Sequence, residues 1–355
     1  MTGSPRQKSR LAIVGNTGAT NVGESLRRAA LTLGHQVLFF DCYEAWRGNP
    51  ILRSISWHFN DKRPLRLDDF VNSVLSACGK ARPETVIATG TAPLTAAALQ
   101  ALRGLGIVCL NYSTDDPWNP DQTANWFLRA LPFYDLILTT RRANVRDFQR
   151  IGCGDVQYLP FGYDDELFGD LCGSMQGGVH DVLFVGGADK DRIAFMLEFM
   201  GAGAAVTLVG DYWKTAAQTR RFALGHRTSE EVRILTAAAK INLCLVRRAN
   251  RDGHVMRSFE IAAIGGCMLC EDTAEHREIF GPNGEAVVYF STPREAAERA
   301  RSLLADPAER VRLSAVVRAR ISRGANTYRD RLGSILEAAN RMRRAHGVPS
   351  QSAGQ

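Results

Sequence analysis

What most constrains this chain is the regular alternation of fully apolar runs with amphipathic stretches. Arg10-Leu-Ala-Ile-Val-Gly15 reads as a buried strand; a Gly- and Thr-rich loop to Gly23 leads into a helix through Leu33, and Val37 to Phe40 is the next strand. This βαβ opening is then repeated. Further strands are predicted at Thr85 to Thr89, Ile107 to Tyr112, Leu136 to Thr139 and Val156 to Leu159. Helical patterns such as Ala92 to Leu105 and Ala143 to Ile151 separate them. Strands that are apolar on both faces belong to a parallel sheet covered by helices on both sides.

Between Asp164 and His180 the periodicity lapses around Gly169, Gly173, Gly177 and Gly178, as an interdomain linker would. The pattern then restarts, with strands at Asp181 to Gly187, Ala205 to Val209, Ile241 to Val246, Cys267 to Cys270 and Val287 to Phe290. Its helices are predicted at Arg192 to Met200, Ser229 to Ala238, Met256 to Ile264 and Pro293 to Ala305. The expected class is α/β, with two doubly wound Rossmann-like domains over 1–165 and 166–325. The arginine-rich segment Pro307 to Arg344 reads as helical, its last part over 326–346, and 347–355 as a disordered tail.

Of the 355 residues, 45% are hydrophobic and 23% charged, which excludes a disordered chain and supports two cores. A net charge of +7 favours anionic partners. The arginines are dispersed rather than interleaved with aromatics, so nucleic acid is not an expected partner. Cysteines such as Cys109 and Cys244 sit in strand-like contexts and read as buried free thiols. Cys267-Met-Leu-Cys270 has a metal-pair spacing but no second pair, so no metal is expected. The polar start, and the absence of a long apolar run or an amphipathic helix with aromatic anchors, point to a cytoplasmic protein without stable membrane insertion.

Chemistry concentrates in Asp252-Gly-His-Val-Met-Arg-Ser-Phe-Glu260, which Gly265-Gly266 closes as a short helix. A carboxylate accepts hydrogen bonds from two vicinal hydroxyls at once, as in a ribose, and helix-start N–H groups favour phosphate. Asp252 and Glu260 bordering one cleft therefore suggest a nucleotide-sugar. Arg257, one turn before Glu260, divides phosphate and ribose with it, or simply forms an internal salt bridge. His254 reads as a secondary loop hydrogen-bonder. Gly186 and Gly187, followed by Lys190 and Arg192, form a glycine turn with cations suited to a diphosphate, Arg192 being the stronger candidate. Of the cations flanking the strand Ile241 to Val246, at least one of Lys240, Arg247, Arg248 and Arg251 is expected in the cleft. Thr273, Glu275 and His276 border the same pocket, where Asp272 or Thr273 would also cap a helix toward Phe280.

Asp115, Asp116 and Trp118 follow the strand Ile107 to Tyr112, where one acid would serve the acceptor hydroxyl as base and the indole would stack on a sugar. The plain alternative is a turn set up by Asp116 before Pro117. Thr17 and Gly18 lie in the first glycine loop, which either faces a ligand or is a plain turn. Its glycines, Gly15, Gly18 and Gly23, miss the G-x-G-x-x-G dinucleotide spacing.

The Asp252 to Glu260 segment resembles the C-terminal signature of retaining glycosyltransferases of the GT-B fold, in which two glutamates are separated by seven residues; here the first is aspartate. Asp115-Asp-Pro-Trp118, Tyr134-Asp-Leu-Ile-Leu-Thr-Thr140, Tyr158-Leu-Pro-Phe-Gly-Tyr163 and Arg257-Ser-Phe-Glu260 are similar to the CgeB-like spore-protein glycosyltransferases. The resemblance, spanning roughly 110 to 305, implies a nucleotide-sugar donor in the second domain and a glycan, protein or small-molecule acceptor in the first. It implies Glu260 on ribose, Asp252 on the donor sugar, donor phosphates at Gly186 to Arg192, no cofactor, and a last helix crossing back to the first domain. Two other readings are a non-catalytic nucleotide-sugar-binding protein and, through Asp41 after the opening loop, an NAD(P)-dependent oxidoreductase.

Overall fold

The computed structural model describes residues 8–169 and 180–345. Cys172, most of the glycine-rich linker and the tail over 347–355 fall outside the described residues. The chain separates into two compact units. One runs up to Pro160 and takes in Ala249–Arg251 and the residues from Tyr328 on; the other comprises Phe161–Arg248 and Asp252–Thr327. The first unit gives way to the second at Pro160, and Tyr163 N–H donates to the Asn326 carbonyl at 3.0 Å, inside the second unit.

In the first unit, β1 (Arg10–Gly15), β2 (Gln36–Asp41), β3 (Thr85–Thr89), β4 (Val108–Ser113), β5 (Leu136–Thr139) and β6 (Val156–Tyr158) form one parallel sheet, ordered β2-β1-β3-β4-β5-β6. Its helices are α1 (Val22–Thr32), α2 (Pro50–Phe59), α3 (Leu67–Ala81), α4 (Ala96–Gly104), α5 (Asn125–Ala130) and α6 (Arg142–Arg150). Val74 and Cys78 of α3 and Leu99 and Leu102 of α4 bury against Val86, Ala88 and Cys109 of the sheet. Gly15 and Gly23 let α1 close on β1: a Cβ on Gly15 would meet the Gly23 Cα at 2.9 Å and Thr89 Oγ1 at 2.6 Å.

The second unit repeats the plan with β7 (His180–Val185), β8 (Thr207–Val209), β9 (Ala223–Gly225), β10 (Ala239–Cys244), β11 (Met268–Glu271) and β12 (Val288–Phe290), ordered β12-β11-β10-β7-β8-β9 and all parallel. Its helices are α7 (Asp165–Phe168), α8 (Lys190–Gly201), α9 (Ser229–Ala238), α10 (Met256–Ile264), α11 (Ala274–Phe280), α12 (Pro293–Ala305) and α13 (Pro307–Arg323). Read outward from β7, this is the dinucleotide-fold order 3-2-1-4-5-6, whereas the first unit follows the flavodoxin-like order 2-1-3-4-5 with a sixth strand. The last helix, α14 (Tyr328–Ala345), belongs to the first unit and packs on α1. Arg331 anchors it to the Pro160 carbonyl at 2.8 Å.

Several element bounds differ from those predicted. The helix expected from Ala92 starts at Ala96, because Thr95 Oγ1 caps it by accepting from Ala98 N–H at 3.2 Å. The helical segment over Pro307 to Arg344 is two helices, parted after Gly324, and the last, expected over 326–346, runs Tyr328–Ala345. β9 was missed because three half-buried residues carry no periodicity.

Candidate functional site

In an open parallel sheet, ligands bind beyond the carboxyl ends of the strands, where the strand order reverses. In the second unit that point lies between β7 and β10, so the loops leaving these two strands are the ones that matter. Most of the predicted donor residues sit on them.

After β7 the chain must turn sharply under β8. Gly210, at φ 131°, would place a Cβ 2.5 Å from the Gly186 carbonyl oxygen, which also accepts from Trp213 Nε1 at 2.7 Å. Asp189 caps α8 by accepting from Arg192 N–H at 2.8 Å. The Arg192 guanidinium is buried and donates to the carbonyls of Gly187 (3.1 Å) and Leu245 (3.4 Å), stitching the two loops together. Burial lowers its pKa, yet Nε is left without a hydrogen-bond acceptor, with Asp189 Oδ2 3.7 Å away. Lys190 is exposed at the same helix start. A pocket of about 250 Å³ opens beside them, lined by Asp189, Arg192, Phe195, Val246, Arg248 and Glu271.

After β10, α10 begins at Met256 and ends in Gly265 at φ 83°, whose N–H returns to the Ile261 and Ala262 carbonyls. Glu260 is 1% exposed. Its Oε2 lies 2.5 Å from Arg257 Nη1, but neither atom makes an aligned hydrogen bond. Burial raises the Glu260 pKa, against Arg257 and with a push from Asp164. The internal Arg257–Glu260 ion pair that the sequence offered as the plain alternative is therefore formed, on a desolvated carboxylate that receives no aligned hydrogen bond at Oε2. Asp252 is half-buried at the head of the same loop, and its charge reaches Arg192.

His254 and Thr273 have other tasks. The His254 Nε2 accepts from Phe161 N–H at 3.1 Å, which puts the ring proton on Nδ1, facing Glu275 Oε2 at 2.6 Å. Thr273 Oγ1 donates to the Gly253 carbonyl at 2.5 Å while accepting from His276 N–H at 3.0 Å, so Thr273 rather than Asp272 caps α11. A Cβ on Gly253 would meet the Glu275 carboxyl carbon at 2.4 Å. These residues brace the Asp252 loop: His254 is the loop hydrogen-bonder and Thr273 the helix cap that the sequence offered as their plain readings.

Beneath them, Cys244, Cys270 and His276 bring their ligand atoms within 4.8 Å of one another. The sequence reading weighed Cys267 with Cys270, but Cys267 packs into the core beside Leu269, and β-sheet register sets Cys244 opposite Cys270. This group was missed because its members are close in the fold rather than in the chain. The His276 Nδ1–H donates to the Glu271 carbonyl at 2.8 Å, with Cys270 Sγ 3.2 Å away, and Nε2 meets the Ser258 hydroxyl at 2.8 Å.

In the first unit, the order reverses between β1 and β3. Thr17 is folded onto Asp41, its Oγ1 donating at 2.7 Å and its N–H at 3.3 Å, and Gly18, at φ 112°, accepts from Asn21 N–H. Asp41 also caps the next turn at Tyr43, so the acid that invited a dinucleotide reading is taken up by its own loop. At the end of β4, Asp116 is 1% exposed and accepts from Arg251 Nε (2.6 Å) and Nη2 (3.0 Å), Asn144 Nδ2 (2.7 Å) and Trp118 N–H (3.0 Å). Burial would raise its pKa, but these donors, Arg251 first, outweigh it and hold the carboxyl low. That corrects the expectation of a catalytic base at Asp116. Trp118 is likewise drawn into the core, edge-on to Phe148 at 4.9 Å, which withdraws that side of the indole from any sugar. Asp115 is half-buried, contacts Thr114 Oγ1 at 3.5 Å, and stands beside Gly90, making it the acid of this loop with acceptor capacity to spare. Arg251, one of the four cations of which at least one was expected in the cleft, serves Asp116 and Asp147.

Residues 192–337 match a family described as glycosyl transferase-like. No curated protein matches the chain in sequence. Among solved structures, sucrose-phosphate synthase from Thermosynechococcus elongatus superposes with TM-score 0.65 at 15% identity, covering 96% of this chain and 100% of that one. The α,α-trehalose 6-phosphate synthase of Burkholderia multivorans gives 0.62 at 14%, covering 98% and 100%. HepE of Anabaena, in complex with UDP-glucose, gives 0.62 at 13%, covering 93% and 100%. The fold is GT-B, and the matched domain and the fold together are those of a glycosyltransferase.

Proposed function

We propose that the protein transfers a sugar from a nucleotide-sugar to a glycan, protein or small-molecule acceptor, with retention of configuration and without a metal. The observation that carries this is Glu260: a buried carboxylate paired with Arg257 but without an aligned hydrogen bond at Oε2, in the unit whose strand order suits a nucleotide. Two ribose hydroxyls would satisfy that oxygen and stabilise its charged form. Lys190, Arg192 and Arg257, with the amides that open α8 and α10, then receive the diphosphate and offset the charge that develops as the nucleotide departs. Asp252 contacts the donor sugar, and Asp115 is the acid left to meet the acceptor hydroxyl. Kinship with the CgeB-like spore-protein glycosyltransferases rests on the motifs that hold these residues. The complex of HepE with UDP-glucose supports a nucleotide-sugar as the donor type.

The test is a thermal-shift screen of wild type, Glu260→Ala and Glu260→Gln against UDP, GDP, dTDP, ADP and NADH, since a ligand of the folded state raises its melting temperature. One nucleoside diphosphate is expected to stabilise wild type. Charge-assisted hydrogen bonds are worth about 1.5–3 kcal/mol, so the Ala variant should bind roughly 10- to 100-fold more weakly. Unchanged affinity in both variants removes the ribose assignment, and stabilisation by NADH alone overturns the transferase reading.

A further inference from the structure

The exposed apolar surface of the first unit gathers on one short helix. Of the ten residues of α2, only Ser56 is buried, while Phe59 is 86%, Ile51 69%, Leu52 55% and Ile55 49% exposed. At about 100° of turn per residue, these four side chains share an arc roughly 100° wide. The opposite side holds the helix down: Ser56 Oγ donates to the Arg63 carbonyl at 2.6 Å, Trp57 packs on Trp46 at 5.6 Å, and Lys62 lies over the Trp57 ring. A surface helix of a globular unit normally turns its apolar stripe inward; this one turns it outward. The helix needs nothing else to form, since Asn49 accepts from Ile51 N–H at 2.8 Å and Pro50 opens the first turn.

Charge selects the occupant. Between Glu44 and Asp61 there is no acid: His58 borders the arc, Arg53 lies on the polar side of the helix, and Arg47 ahead of it pairs with Glu44 at 2.8 Å, on a chain of net charge +7. An apolar arc on a helix whose polar side is basic matches the boundary between lipid headgroups and acyl chains. We infer that α2 docks the protein reversibly on an anionic bilayer surface, with Ile51, Leu52, Ile55 and Phe59 in the acyl boundary and the basic side of the helix toward the headgroups. Among the described residues no helix is long and apolar enough to cross a membrane, so the attachment is peripheral. The inference does not depend on the nucleotide site.

Sedimentation of the full chain with phosphatidylcholine vesicles, with and without phosphatidylglycerol, tests it. Wild type should pellet with the anionic vesicles, less so at high salt. Ile55→Asp/Phe59→Asp, whose melting temperature should stay at the wild-type value because both side chains are exposed, should lose roughly tenfold or more in partitioning. Wild type remaining in solution with both vesicle types, or a variant that pellets equally, overturns the proposal. So does a concentration-dependent dimer that the variant abolishes without any vesicle binding, which would assign the arc to a second copy.

Discussion

Arg251 and Asp116 show how a side chain's partners decide its chemistry. An acid next to another acid and before proline has the composition of a catalytic base, but four donors converge on Asp116 and hold its pKa low. A group of depressed pKa stabilises the fold above its unfolded titration range, and that contribution is lost as pH falls through the folded value. Arg251→Ala should therefore lower stability by about 2–3 kcal/mol at neutral pH, because a buried carboxylate loses its charged partner. The gap between variant and wild type should narrow in acid melts, once Asp116 is protonated in both. A gap independent of pH would mean that Arg251 contributes by packing alone. Glu260 is the opposite case: burial without aligned donors raises its pKa. Both residues are visible as acids in the sequence; which acid is satisfied depends on donors contributed from distant positions such as Asn144 and Arg251.

At the scale of elements, the strand runs and the helix bounds Ser229–Ala238, Met256–Ile264 and Pro293–Ala305 were legible, because buried parallel strands and capped helices carry their own period and end signals. The stretch between β2 and β3 was not. There α2 exposes its apolar face, so no pattern of inward-facing residues marks it as a surface helix, although α3 beside it carries a regular inward period at Leu67, Phe70, Val71, Val74 and Cys78. The glycine loop after β7 was found, but its support was not, since Gly210 meets Gly186 only through the pairing of β7 with β8. Gly210→Ala places a Cβ at a φ that only glycine tolerates and against the Gly186 carbonyl, and should cost about 2–3 kcal/mol. Melts of the variant, with and without the nucleoside diphosphate that stabilises wild type, should show a lower melting temperature and a reduced ligand shift. A wild-type melt would show that β8 can relax away from the loop.

At the scale of the whole molecule, a metal-independent transferase should release nucleoside diphosphate at an unchanged rate in excess EDTA, because cations from the chain offset the leaving group. A rate restored only by added Mg²⁺ or Mn²⁺ would reject that mechanism.

Two parallel α/β units and the loops that carry the chemistry follow from the sequence itself, because the period of apolar residues, helix caps and glycine turns are local properties. Only the tertiary structure decided the order of the strands, and with it that the two units differ in topology. It also decided on what each polar group is spent. His254, Thr273, Asp41 and Asp116 are spent on hydrogen bonds, whereas Glu260 is held by its ion pair with Arg257 without an aligned hydrogen bond. A hydrogen bond depends on positions and angles in space, and Asp116 draws its Arg251 partner from 135 residues away in the chain.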